Sequence, residues 1–523
     1  MRIGLIASGA FLPDSLSAEL GRIPPCLVPL GSRRLLHRQY AEISKLVDKV
    51  YVSLPEGFDL HPEDRQQIEA LGLTIIPSDP TLRIGEAIAN CVNAIGIYDA
   101  EIVVLYGDTV ITGIERFSRN AVSVHSSWGE YRWADLADLF GSRARDHAQK
   151  TLSGLFAFSS VPDLLRSIIR AKGDFLSAIR LYDEQHALSL VADGDWFDFG
   201  HVQTYFRSTG LVTTQRGFNE LQITAREVIK GSENTRKIQS EAAWFTDIPA
   251  HMRAFTPAFL GERTPGGLAG YATANTYLST LSNLAVYGEL QTSTWVAIFD
   301  ACAAFLKECR AVRPEAPLGG DPDLYFGTKT RERLETFAAS EQGRILERAR
   351  RMDGCALPSV SEMVEVTGQI ISDMDHGPEC MIHGDFCFSN IFFDFRSVSV
   401  RVIDPRGELP DGTRSIHGLQ SYDVAKLAHS VVGGYDLIIA GYVRARLEGD
   451  ILVMEAPYRD NPRWGRIIEA FRNSAIANTQ SPREIDAMLV HLFLSMLPLH
   501  SDRPDRQVAM LGTAYKSFFA LEA

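Results

Sequence analysis

The sequence predicts two folding units of different class: an α/β amino-terminal domain with a mostly parallel sheet over residues 1–210, and an α+β carboxy-terminal domain over residues 211–523. Three observations carry this expectation. A chain of 523 residues that is 45% apolar is longer than one ordinary core serves. Its first hundred residues alternate strand-like and helix-like runs. Near Arg207 to Leu211, a strand-like stretch (Gln203 to Phe206) gives way to Ser208-Thr209-Gly210 with no long Pro/Ser linker, which predicts direct docking of two units rather than a tether.

The elements of the first unit run in order as Ile3 to Ala7, a helix from Leu35 to Val47, Lys49 to Ser53, Pro62 to Leu71, Leu73 to Ile76, Gly85 to Ile95 and Ile102 to Leu105. Strand and helix repeats of this length imply a parallel sheet covered on both faces. In such sheets the ligand sits at the carboxyl ends of the strands. The best-placed polar group is therefore Tyr106-Gly107-Asp108-Thr109, and Asp108 is the first candidate. A second acidic position, Asp198 in Trp196-Phe197-Asp198-Phe199-Gly200-His201, follows the apolar run from Ala187 to Val191. Two carboxylates across a cleft can share a hard cation such as Mg2+. Gly-Asp is also ordinary turn chemistry, and His201 can equally be a packing or capping residue.

The bulk numbers exclude some functions. A formal charge of −13 argues against a nucleic-acid or anionic-membrane partner, while leaving room for a local basic pocket. The seven cysteines are scattered and never spaced as CxxC, which fits reduced thiols in a cytoplasm. No apolar run reaches the length of a membrane span. At the amino terminus, Ser8-Gly9 and Pro13-Asp14 interrupt the run after Met1-Arg2, which suits a buried first strand better than a signal peptide. The expected partners are small-molecule substrates and nucleotides, and the sequence leaves a homo-oligomer open.

The densest signal is Ile382-His383-Gly384-Asp385-Phe386-Cys387-Phe388-Ser389-Asn390, followed by Val402-Ile403-Asp404-Pro405-Arg406-Gly407. Phosphoryl transfer needs a carboxylate to orient the acceptor hydroxyl, plus an amide and a second carboxylate to hold Mg2+ on the phosphates. Asp385, Asn390 and Asp404 supply that set. The runs Ile391 to Phe393 and Val398 to Ile403 predict a hairpin that returns Asp404 to the cleft. ATP chemistry also needs a lysine on the phosphates and a glutamate to orient it. Lys230 ends the strand-like Glu227-Val228-Ile229-Lys230, and Glu241 lies eleven residues on, in a helix beginning near Ile238. Lys237 is the rival lysine, within the helical period and directed to solvent. Arg216-Gly217-Phe218-Asn219 is the expected hairpin above the phosphates, with Arg216 and Asn219 as nucleotide contacts. The stretch from Tyr277 to Leu281 with Tyr287-Gly288 is where the adenine-binding hinge is sought, and Val296 to Cys309 reads as a core helix. Asp423, at a helix start, is a cap and a buttress of the catalytic loop.

The HGDxxxxN and IDPRG pattern resembles the aminoglycoside phosphotransferase and choline kinase family, a relative of the protein kinases. The resemblance implies a two-lobed kinase-like domain, with the small lobe over 211–290 and the large helical lobe over 291–523. It also implies Asp385 as catalytic base, Asn390 and Asp404 as metal ligands, His383 as a buttress, and ATP with Mg2+ as cofactors. Tyr325, Lys329 and Thr330 resemble a stretch of capsule-type members that faces the acceptor, and also read as a solvated charged helix.

Residues 1 to about 210 resemble a sugar-1-phosphate nucleotidyltransferase of the GT-A type, Rossmann-like, which implies an NTP substrate and Asp108 and Asp198 as metal aspartates. Pro24-Pro25-Cys26-Leu27-Val28-Pro29-Leu30 resembles that family's Pro-Lys-x-Leu-x-Pro stretch, with Pro25 where the lysine stands. The phosphate loop departs more: Ala7-Ser8-Gly9-Ala10-Phe11-Leu12-Pro13 has neither the repeated glycines nor the arginine, so Arg22, Arg33 and Arg34 become the candidates for the triphosphate. The order of the two domains resembles bacterial proteins that make capsule or surface-glycan precursors. The expectation is a bifunctional enzyme that phosphorylates a sugar, polyol, glycerate or amino alcohol and then attaches a nucleotide. The alternative is a single-activity kinase whose first domain only binds or regulates.

Overall fold

The computed structural model describes residues 1–522 apart from 128, 130, 132, 148, 215–220 and 456–460. The predicted Arg216 and Asn219 therefore lie outside the described residues. The chain divides into two compact units, Met1–Gln215 with Tyr287–Glu289, and Arg216–Val286 with Leu290–Ala523.

In the first unit, β1 (Arg2–Ala7), β2 (Lys49–Pro55), β3 (Thr74–Ser78), β4 (Glu101–Tyr106), β5 (Thr109–Thr112), β6 (Ala121–Ser126), β7 (Lys150–Phe158), β8 (Ser189–Val191) and β9 (Asp195–Asp198) account for the main strands. Seven of them form one sheet in the order β8-β6-β7-β4-β1-β2-β3. β1 runs parallel to both β2 and β4, β2 to β3, and β8 to β6, whereas β7 is antiparallel to its neighbours β4 and β6. The run Ile102-Val103-Val104-Leu105 is apolar without alternation because both faces are covered. Ile102 and Val104 enter one core cluster with Ile88 and Val92 of a helix, Ile84–Ile95, while Val103 and Leu105 enter the other with Leu36 and Ile43 of the helix Leu35–Ile43. β5 and β9 form a separate antiparallel ribbon in which Asp198 pairs with Thr109, and this pairing places the two acidic positions together.

One expectation fails here. Gln203 to Phe206 is not a strand but part of a helix, Val202–Thr214. Thr, Tyr and Phe favour strands locally, yet Tyr205 is buried and its hydroxyl donates to the Pro29 carbonyl at 3.0 Å, so packing overrides propensity. The helix also runs through Ser208-Thr209-Gly210, where a boundary loop was expected.

The second unit opens on an antiparallel sheet of β10 (Leu221–Ile223), β11 (Glu227–Ser232), β12 (Phe259–Arg263) and β13 (Ala269–Ala274), in the order β10-β11-β13-β12. Against it packs the helix Thr235–Asp247, capped by the Asn234 side chain, which accepts from the Lys237 backbone N–H. The rest is mostly helical, with Thr292–Ala311 (which contains the predicted core helix), Lys329–Ala338, Gln420–Val431, Pro482–Met496 and Pro504–Phe519. β14 (Ile391–Asp394) and β15 (Ser399–Val402) form the hairpin, with Ile391 opposite Val402. The stretch sought as the hinge is only briefly a strand: Ser279–Thr280 pairs with Phe392–Phe393, and Leu281–Tyr287 is a helix. Leu281, Leu284 and Ala285 are buried at helical spacing, which explains the outcome. Among the described residues no helix is long and apolar enough to cross a membrane. All seven cysteines are free thiols, and six of them are buried.

Candidate functional site

The segment 383–390 of the second unit is held by hydrogen bonds at almost every residue. The carboxylate of Asp423, near the start of helix Gln420–Val431, accepts from the backbone N–H of His383 at 2.7 Å and of Gly384 at 2.8 Å. Gly384 has φ +78°, and a Cβ there would stand 2.8 Å from Cβ of Arg406, so glycine serves both the turn and the close approach. His383 is fully buried. Its Nε2–H donates to the Ile403 carbonyl at 2.9 Å, and its Nδ1 accepts from the Asp385 backbone N–H at 3.3 Å. Both contacts suit the neutral ring, and burial pushes its pKa down to about 4. His383 thus ties the loop to the strand leading into Asp404.

Asn390 donates from Nδ2 to the Asp385 carbonyl at 3.0 Å and to Asp385 Oδ2 at 3.3 Å. The Ile403 N–H donates to the Asn390 carbonyl at 3.0 Å, which sets Asp404 beside Asn390. Asp404 has φ +57°, an unusual backbone for a residue with a side chain and one that clusters at functional sites. Lys230 on β11 reaches both carboxylates that matter, Glu241 Oε2 at 2.8 Å and Asp404 Oδ1 at 3.2 Å. Tyr271 donates to the same Glu241 oxygen at 3.2 Å. The rival Lys237 stands 3.8 Å from Glu241 with its side chain about half exposed. The structure therefore brings Lys230, Glu241, Asp385, Asn390 and Asp404 into one cleft.

Around Asp385 lie cations that the sequence pattern alone did not assign. Lys426 Nζ is 2.7 Å from Asp385 Oδ1. Burial opposes ionisation of Asp385, but Lys426 and Arg406 outweigh it and hold the carboxyl well below the usual carboxylate range. Lys329 is not on a solvated face as one reading expected: its Nζ lies 2.8 Å from the Tyr422 hydroxyl, and Tyr325 and Thr330 beside it are buried. The reason is tertiary, since Tyr325 and Phe326 pack on Tyr422. Burial lowers the Lys329 pKa to about 8, with Arg406 and Lys426 adding to the effect. Burial would raise the Tyr422 hydroxyl, but Lys329, Lys426 and Arg406 together bring it down to about 7. The signal that could have found this group is helical spacing: Tyr422, Asp423 and Lys426 fall within one turn.

In the first unit, Asp108 follows β4 and Asp198 ends β9. The Phe199 N–H donates to the Asp108 carbonyl at 2.8 Å. Asp198 accepts from His201 at 2.8 Å and from the Thr204 hydroxyl. His201 is thereby raised above its ordinary pKa, chiefly by this bond, and it stacks on Tyr131 at 3.9 Å. Burial and then the neighbouring Asp198 push Asp108 up to about 6, the signature of two carboxylates sharing a site. An Mg2+ ion keeps several waters and needs only one or two carboxylates, so the pair fits such an ion. Among the described residues no group of three or more His, Cys, Asp or Glu forms a metal cluster. The arginines proposed for the triphosphate do not gather. Arg34 is buried and locked on Asp64 through two bonds, at 2.9 and 2.5 Å, Arg22 covers the Phe11 ring at 4.0 Å, and Arg33 is exposed. A buried guanidinium of this kind is structural because its desolvation demands a fixed partner.

Comparison with known proteins adds the following. No curated protein sequence matches the chain. Among solved structures, HddC from Yersinia pseudotuberculosis is 18% identical, covering 40% of this chain and 100% of its own, with a TM-score of 0.29. The choline kinase LicA from Streptococcus pneumoniae is 10% identical, covering 57% of this chain and 89% of its own, with a TM-score of 0.35. An ADP-bound aminoglycoside phosphotransferase is 14% identical over 59% of this chain and 97% of its own, with a TM-score of 0.33. The model of the phosphotransferase enzyme family matches residues 224–456, a span that contains Lys230, Glu241, Asp385, Asn390 and Asp404. The similarity to the phosphotransferase enzyme family thus runs through residues 224–456 and takes in every residue of the candidate phosphoryl-transfer site.

Proposed function

We propose that the second unit transfers the γ-phosphoryl group of ATP to a hydroxyl of a small metabolite. The observation that carries this reading is the position of Lys230, ion-paired at once with Glu241 and Asp404, in a cleft that also holds Asp385 and Asn390. Asp385 accepts the acceptor hydroxyl's proton as the new O–P bond forms and the bond to ADP breaks. Lys426 keeps Asp385 ionised and fixes its direction. Lys230, oriented by Glu241, is placed to neutralise the nucleotide phosphates. The amide oxygen of Asn390 and the carboxylate of Asp404 would hold Mg2+, whose preference is for oxygen and which would offset the negative charge of the phosphates.

The same reading assigns nucleotidyl transfer to the first unit, with Asp108 and Asp198 as the metal carboxylates and an NTP as donor, so that the phosphorylated product becomes a nucleotide-linked surface-glycan precursor. One observation favours the alternative, a binding or regulatory module. The loop that would cradle a triphosphate is occupied by its own contacts: the Ser8 N–H donates to Ser53 Oγ at 2.9 Å, Ser8 Oγ accepts from the Cys26 N–H at 3.0 Å, and a Cβ on Gly9 would stand 2.5 Å from Ser78 Oγ.

Phosphorus NMR of the protein with Mg2+, the four NTPs and a panel of sugars, polyols and hydroxy acids tests both halves. The expected result is a phosphomonoester whose formation falls by about a hundredfold or more in Asp385→Ala, and a nucleotide conjugate that needs Asp108. A monoester without any conjugate selects the binding module. An Asp385→Ala variant of undiminished rate removes the kinase assignment.

A further inference from the structure

Near Asp385, in the second unit, three cations have no carboxylate at ion-pairing distance among the described residues. Lys329 and Arg333 lie one helical turn apart on Lys329–Ala338. Among the described residues Lys329 Nζ hydrogen-bonds the Tyr422 hydroxyl alone, at 2.8 Å, and Arg333 donates to the Ser495 carbonyl at 3.1 Å. Arg406 is anchored by its backbone N–H to the His383 carbonyl at 2.9 Å and lies over Gly384. Among the described residues none of the three makes an ion pair, although other arginines and lysines of the chain do. All three still act electrostatically on Tyr422, and Arg333 and Arg406 also act on Asp385, so they converge on one space. The fourth cation, Lys426, is already matched by Asp385.

Half-buried cations held close together repel one another and cost solvation unless a counter-charge is supplied. The donor nucleotide's own cation is Lys230, which is matched by Glu241 and Asp404. Lys329 and Arg333 stand not on the strand of Lys230 but on the helix Lys329–Ala338, which meets Tyr422 through Lys329. Tyr422, whose hydroxyl these cations bring down to about 7, answers part of that charge, and Glu408 and Glu241 act on Arg406; the remaining counter-charge belongs to the acceptor.

We infer that the acceptor of this kinase is an anion, a hydroxy acid or a phosphorylated polyol or sugar, whose carboxylate or phosphate is bound by Lys329, Arg333 and Arg406 while its hydroxyl faces Asp385. This rests on the kinase reading and narrows it: amino alcohols and other cationic acceptors are excluded by charge, and neutral sugars leave the cluster uncompensated. A guanidinium grips either anion through paired N–H groups, and the lysine adds a point charge.

The test measures binding of D-glycerate, sn-glycerol 3-phosphate, glycerol and choline to the full-length protein saturated with ADP and Mg2+, by titration calorimetry. Glycerate or glycerol phosphate is expected to bind and glycerol and choline are not, and the tighter of the two anions identifies carboxylate or phosphate as the recognised group. Lys329→Met and Arg333→Met, in preparations that keep the wild-type melting temperature, should each weaken the anion by about tenfold or more, and Lys329→Arg should recover part of the loss. Choline or glycerol binding as well as the anions, no anion binding at all, or anion affinity indifferent to both folded variants would each overturn the inference. The wild-type comparison decides the matter even if a variant does not fold. Adding ATP to the same samples separates the two readings. Anion binding with no Asp385-dependent ADP formation sinks the kinase reading alone, whereas phosphorylation of glycerol or choline in preference to the anions sinks the anion inference alone.

Discussion

Asp423 shows how much a single carboxylate organises. Its two oxygens take the N–H groups of His383 and Gly384, and it is fully buried. Asp423→Ala orphans both donors and should cost roughly 2 to 4 kcal/mol; urea unfolding should show the loss, with a fall in turnover greater than the fall in ATP affinity. An unchanged unfolding midpoint would show that other groups hold the loop. Gly200 makes the corresponding point in the first unit. A Cβ there would collide with the Asp108 carboxylate, so Gly200→Ala should displace Asp108 and reduce Mn2+ binding measured by electron paramagnetic resonance. The candidate catalytic residues were legible because Asp385, Asn390 and Asp404 sit close in sequence on a loop and hairpin. Lys329 stood out only by resemblance, open between the acceptor and a solvated helix, because its environment is made by Tyr422, nearly a hundred residues away in sequence.

Elements were legible where one pattern had one physical reading. The doubly buried strands of the first unit needed only an apolar run of strand length, and the helix Thr292–Ala311 needed only its apolar stripe. Val202–Thr214 failed as a strand because short aromatic and β-branched runs suit either state until burial decides. Helix Pro482–Met496 begins with a capping box, Ser481 accepting from the Glu484 N–H at 3.3 Å and Glu484 accepting from the Ser481 N–H at 2.6 Å. Ser481→Ala should cost about 1 kcal/mol, read as a lower urea midpoint with an unchanged slope. A change in slope instead would mean that the cap shapes more than its own helix.

At the scale of the whole molecule, buried histidines make stability depend on pH. His383, His429 and His491 are each no more than 1% exposed. Burial pushes His383 and His491 down to about 4 and His429 well below its usual range. Between pH 6.5 and 4 the unfolded chain binds protons that the folded chain refuses. The histidines' contribution is therefore full above about pH 6.5 and is lost as the pH falls toward 4, each of His383 and His491 giving up to about 3 kcal/mol, while Asp108 and Asp423, raised to about 6 and about 7 by burial, act in the opposite sense. Urea midpoints at pH 7.5 and 5.0 check the balance: three histidines against two carboxyls should give the lower midpoint at the lower pH, and equal values would contradict that balance.

The sequence by itself determined the fold class of each half, the parallel sheet, the hairpin that carries Asp404, and the set Lys230, Glu241, Asp385, Asn390 and Asp404. These rest on local periodicity and short spacings, which a chain expresses before it folds. Only the tertiary structure decided that Gln203 to Phe206 is helical, that Arg34 is sequestered by Asp64, and that Lys329, Arg333 and Arg406 act together on Tyr422 with no ion pair of their own among the described residues. Burial and charge balance belong to contacts between distant segments, and no spacing along the chain encodes them.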